Sequence, residues 1–411
     1  MRIRKISNLD LIDQYLILSI LAIYIIVPIL YKIFFSSYLS IEIWIGLIIS
    51  TFISILMIIS KKTPKLEMEK IKNVQKIFSS HTLLYMLCLF FLWELADLIK
   101  TINTFDSSIN RDSYFYKDTK KEALGGRSLL IFTKMFISSF LLLIYVDILN
   151  DARQQKKILI FLMIIIILVQ YGQLILTSGS RSPFLYTIIF WVLFYNFYVK
   201  EIKISKKNLI LFALFVTISF LWLSWSAYFR QGSEIKSGEV NILHGMSGFA
   251  TAYYIEILKQ AVETGKLKFE YGLQMIYNLI SWIPRLIWEE KPAVSFSFRI
   301  SDQLFDGQVG ISTWVRTFTI PGEGYLQFGV FGMILWSVIF IYVYRMSKFI
   351  ILRYPLSSPF FLSLWSAFPI LVRSDLSAYI SRFFAALIMF FVIFGFLKFL
   401  KLTTNLNRSV K

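Results

Sequence analysis

Apolar residues run along this chain in blocks of roughly twenty, separated by short polar or basic intervals, and a helix needs about that many to cross a hydrocarbon core. The blocks predict spans over residues 11–35, 41–60, 80–99, 129–149, 158–177, 183–199, 208–228, 322–344, 359–372 and 379–399, about ten in all. Between 228 and 321 the pattern changes. That stretch is too long for a turn and too apolar for a free linker, so it is expected to pack on the membrane domain. Residues 249–262 within it have a helical amphipathic period, with Tyr253, Ile257 and Ala261 on one face and Glu256, Lys259 and Glu263 on another. Residues 273–288 stay apolar too briefly for a crossing, which suits an interfacial or re-entrant helix. The expectation is an all-α, polytopic integral membrane protein. Its parts are an N-terminal membrane bundle (residues 1–228), a large outer loop (229–320) and a C-terminal membrane bundle (321–411).

Composition agrees with the pattern, since 57% hydrophobic and 17% charged residues exclude an ordinary soluble domain. The first block is too long for a secretory signal and lacks a small-residue cleavage pattern, so it is expected to remain as a span. The single cysteine, Cys88, lies in an apolar run and forms no internal disulfide. A formal charge of +18 on a soluble chain would point to nucleic acid; here its placement speaks of topology instead. The basic segments 61–76, 153–157, 200–207 and 345–353 and the C-terminal tail all fall on one side of the span model. By the positive-inside rule that side is the cytoplasm, with both termini on it. On this topology the inside segments hold roughly 17 Lys and 6 Arg, against roughly 11 Lys and 9 Arg elsewhere. Lysine sets the orientation, whereas arginine leans outward. A guanidinium binds phosphate or carboxylate at two points, so that bias suggests an anionic ligand on the outer face.

Four elements carry candidate chemistry. In Thr177-Ser178-Gly179-Ser180-Arg181-Ser182-Pro183 a tight outer turn offers a small-residue backbone, and Pro183 can start a helix whose N-terminus favours an anion beside Arg181. The alternative is an arginine snorkelling to headgroups. Arg230-Gln231-Gly232 follows the seventh span, where an anchoring arginine is also common. In WIPRLIWEEKP, residues 282–292, Pro284 breaks an apolar helix and frees backbone groups. At membrane depth that is tolerated only against protein or a watery cavity, which Arg285 would then face. Glu289, Glu290 and Lys291 read equally as a solvated rim. Lastly, Glu323 in Pro321-Gly322-Glu323-Gly324-Tyr325 lies in a first helical turn, where the dipole alone could account for it. Flanking glycines would also admit a substrate to a carboxylate able to accept a hydroxyl proton. Gly329 and Gly332 read as helix-packing positions.

Within the membrane, Glu94 and Lys134 lie at about equal depth on adjacent spans and are expected to pair, with Asp97 on the same helix as Glu94. His81 and His244 are the only histidines, so a histidine metal site is not expected; His244 reads as a loop residue or a base. Phosphate-binding P-loop, nucleophile-elbow and Asp-x-Asp motifs are absent from the sequence.

The segments GSRS (179–182), RQG (230–232), IPRLIWEEKP (283–292) and GEGYLQFGVFG (322–332), in this order and on one predicted face, resemble the Wzy-type polymerases of O-antigen or capsule repeat units. The likeness covers residues 177–332; elsewhere it is one of hydropathy alone. The tryptophan-proline ending usual in the third segment reads Trp288-Glu289-Glu290 here, which loosens the correspondence at Lys291. Arg299 and Gly310 have the Arg-x10-Gly spacing of outer loops in some members. The resemblance implies a GT-C-like membrane glycosyltransferase in the bacterial inner membrane, acting on its outer face. Such an enzyme transfers a growing glycan from undecaprenyl diphosphate to the sugar end of another lipid-linked unit. It implies diphosphate binding by Arg181, Arg230, Arg285 and Lys291, with Arg181, Arg285 and Glu323 catalytic, and further substrate contacts at His244, Arg299, Arg316 and Tyr325. No metal, nucleotide or other cofactor is implied, because the lipid diphosphate is already activated. Partners would be the lipid-linked oligosaccharide, the bilayer, and a chain-length regulator and flippase of the same pathway; nucleic acid is not among them. A lipid-linked oligosaccharide flippase would need polar residues near the midplane, and an O-antigen ligase would use the same diphosphate clamp. A structural scaffold would explain the hydropathy but not the arginines.

Overall fold

The computed structural model describes residues 10–35, 39–60, 66, 80–103, 141, 143–148, 157–158, 160–166, 181–198, 252–280, 283, 288, 296–304 and 318–409. Every regular element among them is a helix. Four are long and apolar enough to cross a membrane: Leu11–Leu30, Ile41–Ile59, Ile320–Arg353 and Leu376–Phe396. The other predicted spans are described in part or lie outside these residues.

The first span is α1 (Leu11–Leu21), a π-helical turn (Ala22–Ile26) and α2 (Val27–Phe35). Pro28 accounts for the widened turn: its ring has no N–H to donate and crowds the carbonyl one turn earlier. Asp10 caps α1 by accepting from Asp13 N at 3.0 Å. Helix α3 (Ile41–Ile59) returns across the bundle, and α4 (Ser80–Asn103) and α5 (Arg181–Tyr198) follow. Three short helices come next: α6 (Tyr253–Glu263), α7 (Leu273–Ile280) and α8 (Phe296–Leu304). The C-terminal part holds α9 (Ile320–Arg353), a 3-10 turn (Pro355–Ser357), α10 (Ser358–Ser366), α11 (Phe368–Arg373) and α12 (Leu376–Ser409).

Contacts between helices give the bundle two ends. Helix α9 packs along α3 in parallel, with Met333 beside Gly46 and the Arg345 guanidinium donating to the Met57 carbonyl. Helix α1 runs antiparallel to both: Tyr344 Oη donates to Asp13 at 2.7 Å, while at the opposite end Tyr253 Oη donates to the Pro28 carbonyl at 2.9 Å. One end therefore gathers the starts of α1 and the ends of α3 and α9. The other gathers the end of α2, the starts of α3 and α12, and the short helices α6 to α8. The 359–372 span consists of two helices, α10 and α11, that climb beside α1, where the Tyr15 and Tyr24 hydroxyls donate to the Ser366 and Val372 carbonyls.

Three expectations need correction. The basic stretch 345–353 is no loop but the last turns of α9, and Lys348 is fully buried in it. On α6 the buried face is Ile255, Leu258 and Ala261; Ile257 is exposed because the charged face docks on α3. There Lys259 pairs with Glu42 at 3.0 Å, and Glu256 accepts from Ser40 N at 2.8 Å. The third concerns α9. Its backbone leaves helical geometry at Phe328 (φ −146°, ψ 30°) and Gly329 (φ 62°, ψ −146°). Gly324 then meets the backbone of Gly332, and the Glu323 carboxylate meets the Trp336 indole, contacts a straight helix would hold roughly 12 and 20 Å apart along its axis. The chain reverses there. Residues 320–327 form a short re-entrant helix folded onto the start of 330–353, and the latter, about 36 Å long, is the spanning part.

Candidate functional site

The site is built where the re-entrant helix meets α7, α8 and the start of α12. Thr319 caps the re-entrant helix by accepting from Gly322 N at 3.2 Å, which places Glu323 in its first turn, buried completely. Oε1 of Glu323 accepts from Asn278 Nδ2 at 2.7 Å and from Trp336 Nε1 at 2.8 Å. Its Oε2 accepts from the backbone N–H of Leu376 at 2.6 Å, the first residue of α12. A second carboxylate stands beside it: Asp375 accepts from Ala378 N at 3.1 Å and from Ser297 N at 2.9 Å, tying α8 to the same helix end. Two carboxylates thus share the positive end of one helix dipole, which favours both.

Helix α7 inverts the usual amphipathic rule. Gln274 and Asn278, one turn apart, are fully buried, while Ile276 and Leu279 are more than half exposed. A polar face turned inward and an apolar face turned outward fit a helix whose surroundings are lipid and whose partner is a polar core. At eight residues α7 is too short to cross a bilayer by itself.

Arg299 is the second charged centre. Both of its terminal nitrogens donate to Glu270, and Nη2 also donates to Gln274 Oε1 at 2.6 Å. The guanidinium stacks over the Tyr277 ring at 5.2 Å. Glu270 accepts in turn from Gln327 Nε2 at 2.7 Å, and Gln327 Oε1 accepts from Gly272 N at 3.1 Å. Through Gln327 the re-entrant helix is fastened at its far end as it is at Glu323 at its near end. The polar core is a buried, nearly saturated network; the Arg299 Nε atom is its one buried donor without a partner among the described residues.

Of the residues singled out from sequence, the structure brings Glu323 and Arg299 into this one network. Tyr325 lies two residues beyond Glu323 on the re-entrant helix, buried, with its ring 6.3 Å from Phe269. Arg181 is the first residue of α5, so the helix starts two positions ahead of Pro183; its side chain lies outside the described residues. Arg230, His244, Arg285, Lys291 and Arg316 also lie outside them, as do Lys134 and Asp97's side chain. Glu94 is buried on α4. The glycines flanking Glu323 do not admit a ligand here: Gly324 is filled by Gly332, and a Cβ on Gly322 would meet Ile255 at 3.2 Å. Gly332 packs as expected, within its own hairpin, whereas a Cβ on Gly329 would meet nothing within 4 Å, so Gly329 serves the turn through its positive φ and not through packing. Among the described residues no group of His, Cys, Asp and Glu is arranged to hold a metal ion.

A second buried charge cluster, at the opposite end of the bundle, escaped sequence reading. Lys348 Nζ donates to Asp10 at 2.7 Å and to both oxygens of Asp13 at 2.9 and 3.0 Å. Its signal was present in the Asp-x-x-Asp step that opens the first span. Likewise, Gln274 and Asn278 were the only amide side chains of the 273–280 segment and stood one helical turn apart.

These features define a membrane protein whose regular elements among the described residues are all helices, with a polar core buried at one end of its bundle. No family model, curated protein or solved structure matches the chain.

Proposed function

We propose that this chain is a membrane glycosyltransferase of the repeat-unit polymerase type, joining undecaprenyl-diphosphate-linked oligosaccharides on the outer face of a bacterial inner membrane. The observation that carries the reading is the Glu323 carboxylate, held in a re-entrant hairpin formed by the GEGYLQFGVFG segment, the longest of the four segments behind the resemblance. Irregular backbone at membrane depth persists only where protein or a cavity covers it, and broken helices of membrane proteins recur at substrate sites. The wider architecture belongs to the same proposal: about ten spans, a GT-C-like arrangement, and both termini cytoplasmic.

In this reading Arg181, Arg230 and Arg285 clamp the diphosphate and stabilise the charge that grows on it as the glycan departs. Glu323 accepts the proton of the acceptor hydroxyl, which requires that hydroxyl to replace one of the three donors now on the carboxylate. The test is reconstitution of purified protein with a lipid-linked repeat unit. Wild type is expected to produce a ladder of chain lengths, and Arg181→Ala and Arg285→Ala to abolish it. A ladder that survives both substitutions removes the clamp. Deletion of the gene separates polymerase from ligase: single unpolymerised units accumulate in the first case, and chains of normal length lose their attachment in the second.

A further inference from the structure

Arg299, a substrate contact in what the resemblance implies, stands in the structure at the head of a hydrogen-bonded series. Its guanidinium is committed to Glu270 and Gln274, and a directed series of hydrogen bonds leads away from it. Arg299 Nη2 donates to Gln274 Oε1 at 2.6 Å; Gln274 Nε2 donates to Asn278 Oδ1 at 3.0 Å; Asn278 Nδ2 donates to Glu323 Oε1 at 2.7 Å. The direction is fixed by chemistry. A guanidinium can only donate and a carboxylate can only accept, so each amide between them has one permissible orientation. Hydrogen bonds aligned head to tail polarise one another, and reversing either amide would set donor against donor.

We propose that Arg299 is a positioning residue for Glu323, acting through the oriented amides of Gln274 and Asn278. Glu270 neutralises the guanidinium, so what passes along the relay is orientation rather than net charge. Asn278 and Trp336 donate to the same oxygen of Glu323, which fixes the carboxylate plane and leaves Oε2 to the start of α12. With Gln274 removed, the Asn278 Oδ1 atom loses the amide donor that tethers it, so the amide still faces Glu323 but is held less firmly in place. The relay is a feature of the geometry, whereas its bearing on catalysis rests on the polymerase reading above.

The test uses full-length protein labelled with 5-fluorotryptophan, the Trp336 fluorine resonance being assigned by its loss in Trp336→Phe. Gln274→Met is the informative variant, because it keeps the side-chain length and leaves the Glu270–Arg299 pair in place. Gln274→Met, Arg299→Met and Asn278→Leu are each expected to move the Trp336 resonance. The Gln274→Met/Arg299→Met double variant should move it no further than Gln274→Met alone, since both changes cut one relay. A resonance unmoved in Gln274→Met overturns the relay, as does a double variant whose shift is the sum of its parts. In the ladder assay Gln274→Met should lower kcat tenfold or more at unchanged KM; unchanged kcat overturns the positioning role. A wild-type protein that makes no ladder removes the polymerase reading and leaves the fluorine result to decide the relay.

Discussion

Gly324 and Gly332 touch through their backbones, each occupying the space in which the other would carry a Cβ. This contact closes the hairpin at Phe328–Gly329 and brings Glu323 level with Trp336. Gly324→Ala or Gly332→Ala would drive a methyl group into a carbonyl, and backbone on both sides cannot step aside. Overpacking of a core typically costs about 1–3 kcal/mol, and either substitution is expected at or above the upper end of that range. Gly46→Ala gives the contrast. A Cβ there would meet the thioether of Met333, at 2.5 Å from Sδ and 2.8 Å from Cε, and a methionine end can turn aside. Thermal unfolding in detergent should show a large loss of Tm for Gly332→Ala and a small one for Gly46→Ala.

All three groups facing the Glu323 carboxylate are donors, so Glu323→Gln is not a conservative change. With the amide oxygen kept toward Asn278 and Trp336, the new NH2 faces the Leu376 N–H, and the first turn of α12 loses its acceptor. A buried donor left unsatisfied costs roughly 1–3 kcal/mol. The expected result is a lower Tm together with faster amide hydrogen exchange confined to the start of α12. Exchange there that matches wild type would show that another acceptor serves this helix end.

Hydropathy made the spans legible because lipid leaves the chain few choices, and α3 spans Ile41–Ile59 where the apolar block predicted 41–60. The reversal in α9 was not legible in the same way. An apolar block reads alike whether it runs straight or doubles back, and only Gly329, with its positive φ, marks the place. Glu323 was legible as a carboxylate between glycines, yet Gly324 serves the hairpin and Gly322 packs against Ile255. The relay was hidden for a different reason: its members come from residues 270–278, 299 and 323–327, and pairing between distant polar side chains leaves no period in a sequence. Lys348 was misassigned because the charge rule counts lysines near span ends without asking which are buried.

The Lys348 cluster yields a further prediction. Two carboxylates hold one ammonium, the Tyr344 hydroxyl donates to one of those carboxylates, and Asp13 and Lys348 are both fully buried. Lys348→Met removes the cation and leaves two carboxylates facing each other, a change that costs about 3–5 kcal/mol where one partner of a buried pair is lost. Replacing the carboxylates as well, in Asp10→Asn/Asp13→Asn/Lys348→Met, should recover much of that loss, because no unpaired charge remains. Expression level and Tm of the single and triple variants measure the difference. A triple variant less stable than Lys348→Met would mean that the ions act through something other than mutual neutralisation.

The clamp between α6 and α3 should come apart in alkali. Lys259 Nζ lies 3.0 Å from Glu42 and donates to Ser40 Oγ at 3.2 Å, with Glu263 at 3.8 Å. The hydrogen bond to Glu42 is the largest influence on its ammonium and raises its pKa above the ordinary 10.5; partial burial works against this and the charge of Glu42 adds to it. A lysine whose folded-state pKa is raised stabilises the fold fully at pH values below its unfolded pKa. That contribution fades as pH climbs through the folded-state value, so the window lies above about pH 10.5. Below it, α6 should stay docked and its amides protected from exchange. Above it, protection should fall in α6 ahead of α3, and Lys259→Met should show the weaker docking already at neutral pH, with no alkaline step of its own. Because Glu42 is partly exposed, added salt should weaken the wild-type clamp in the same direction. An alkaline loss of α6 protection that persists unchanged in Lys259→Met would assign the titration to another group.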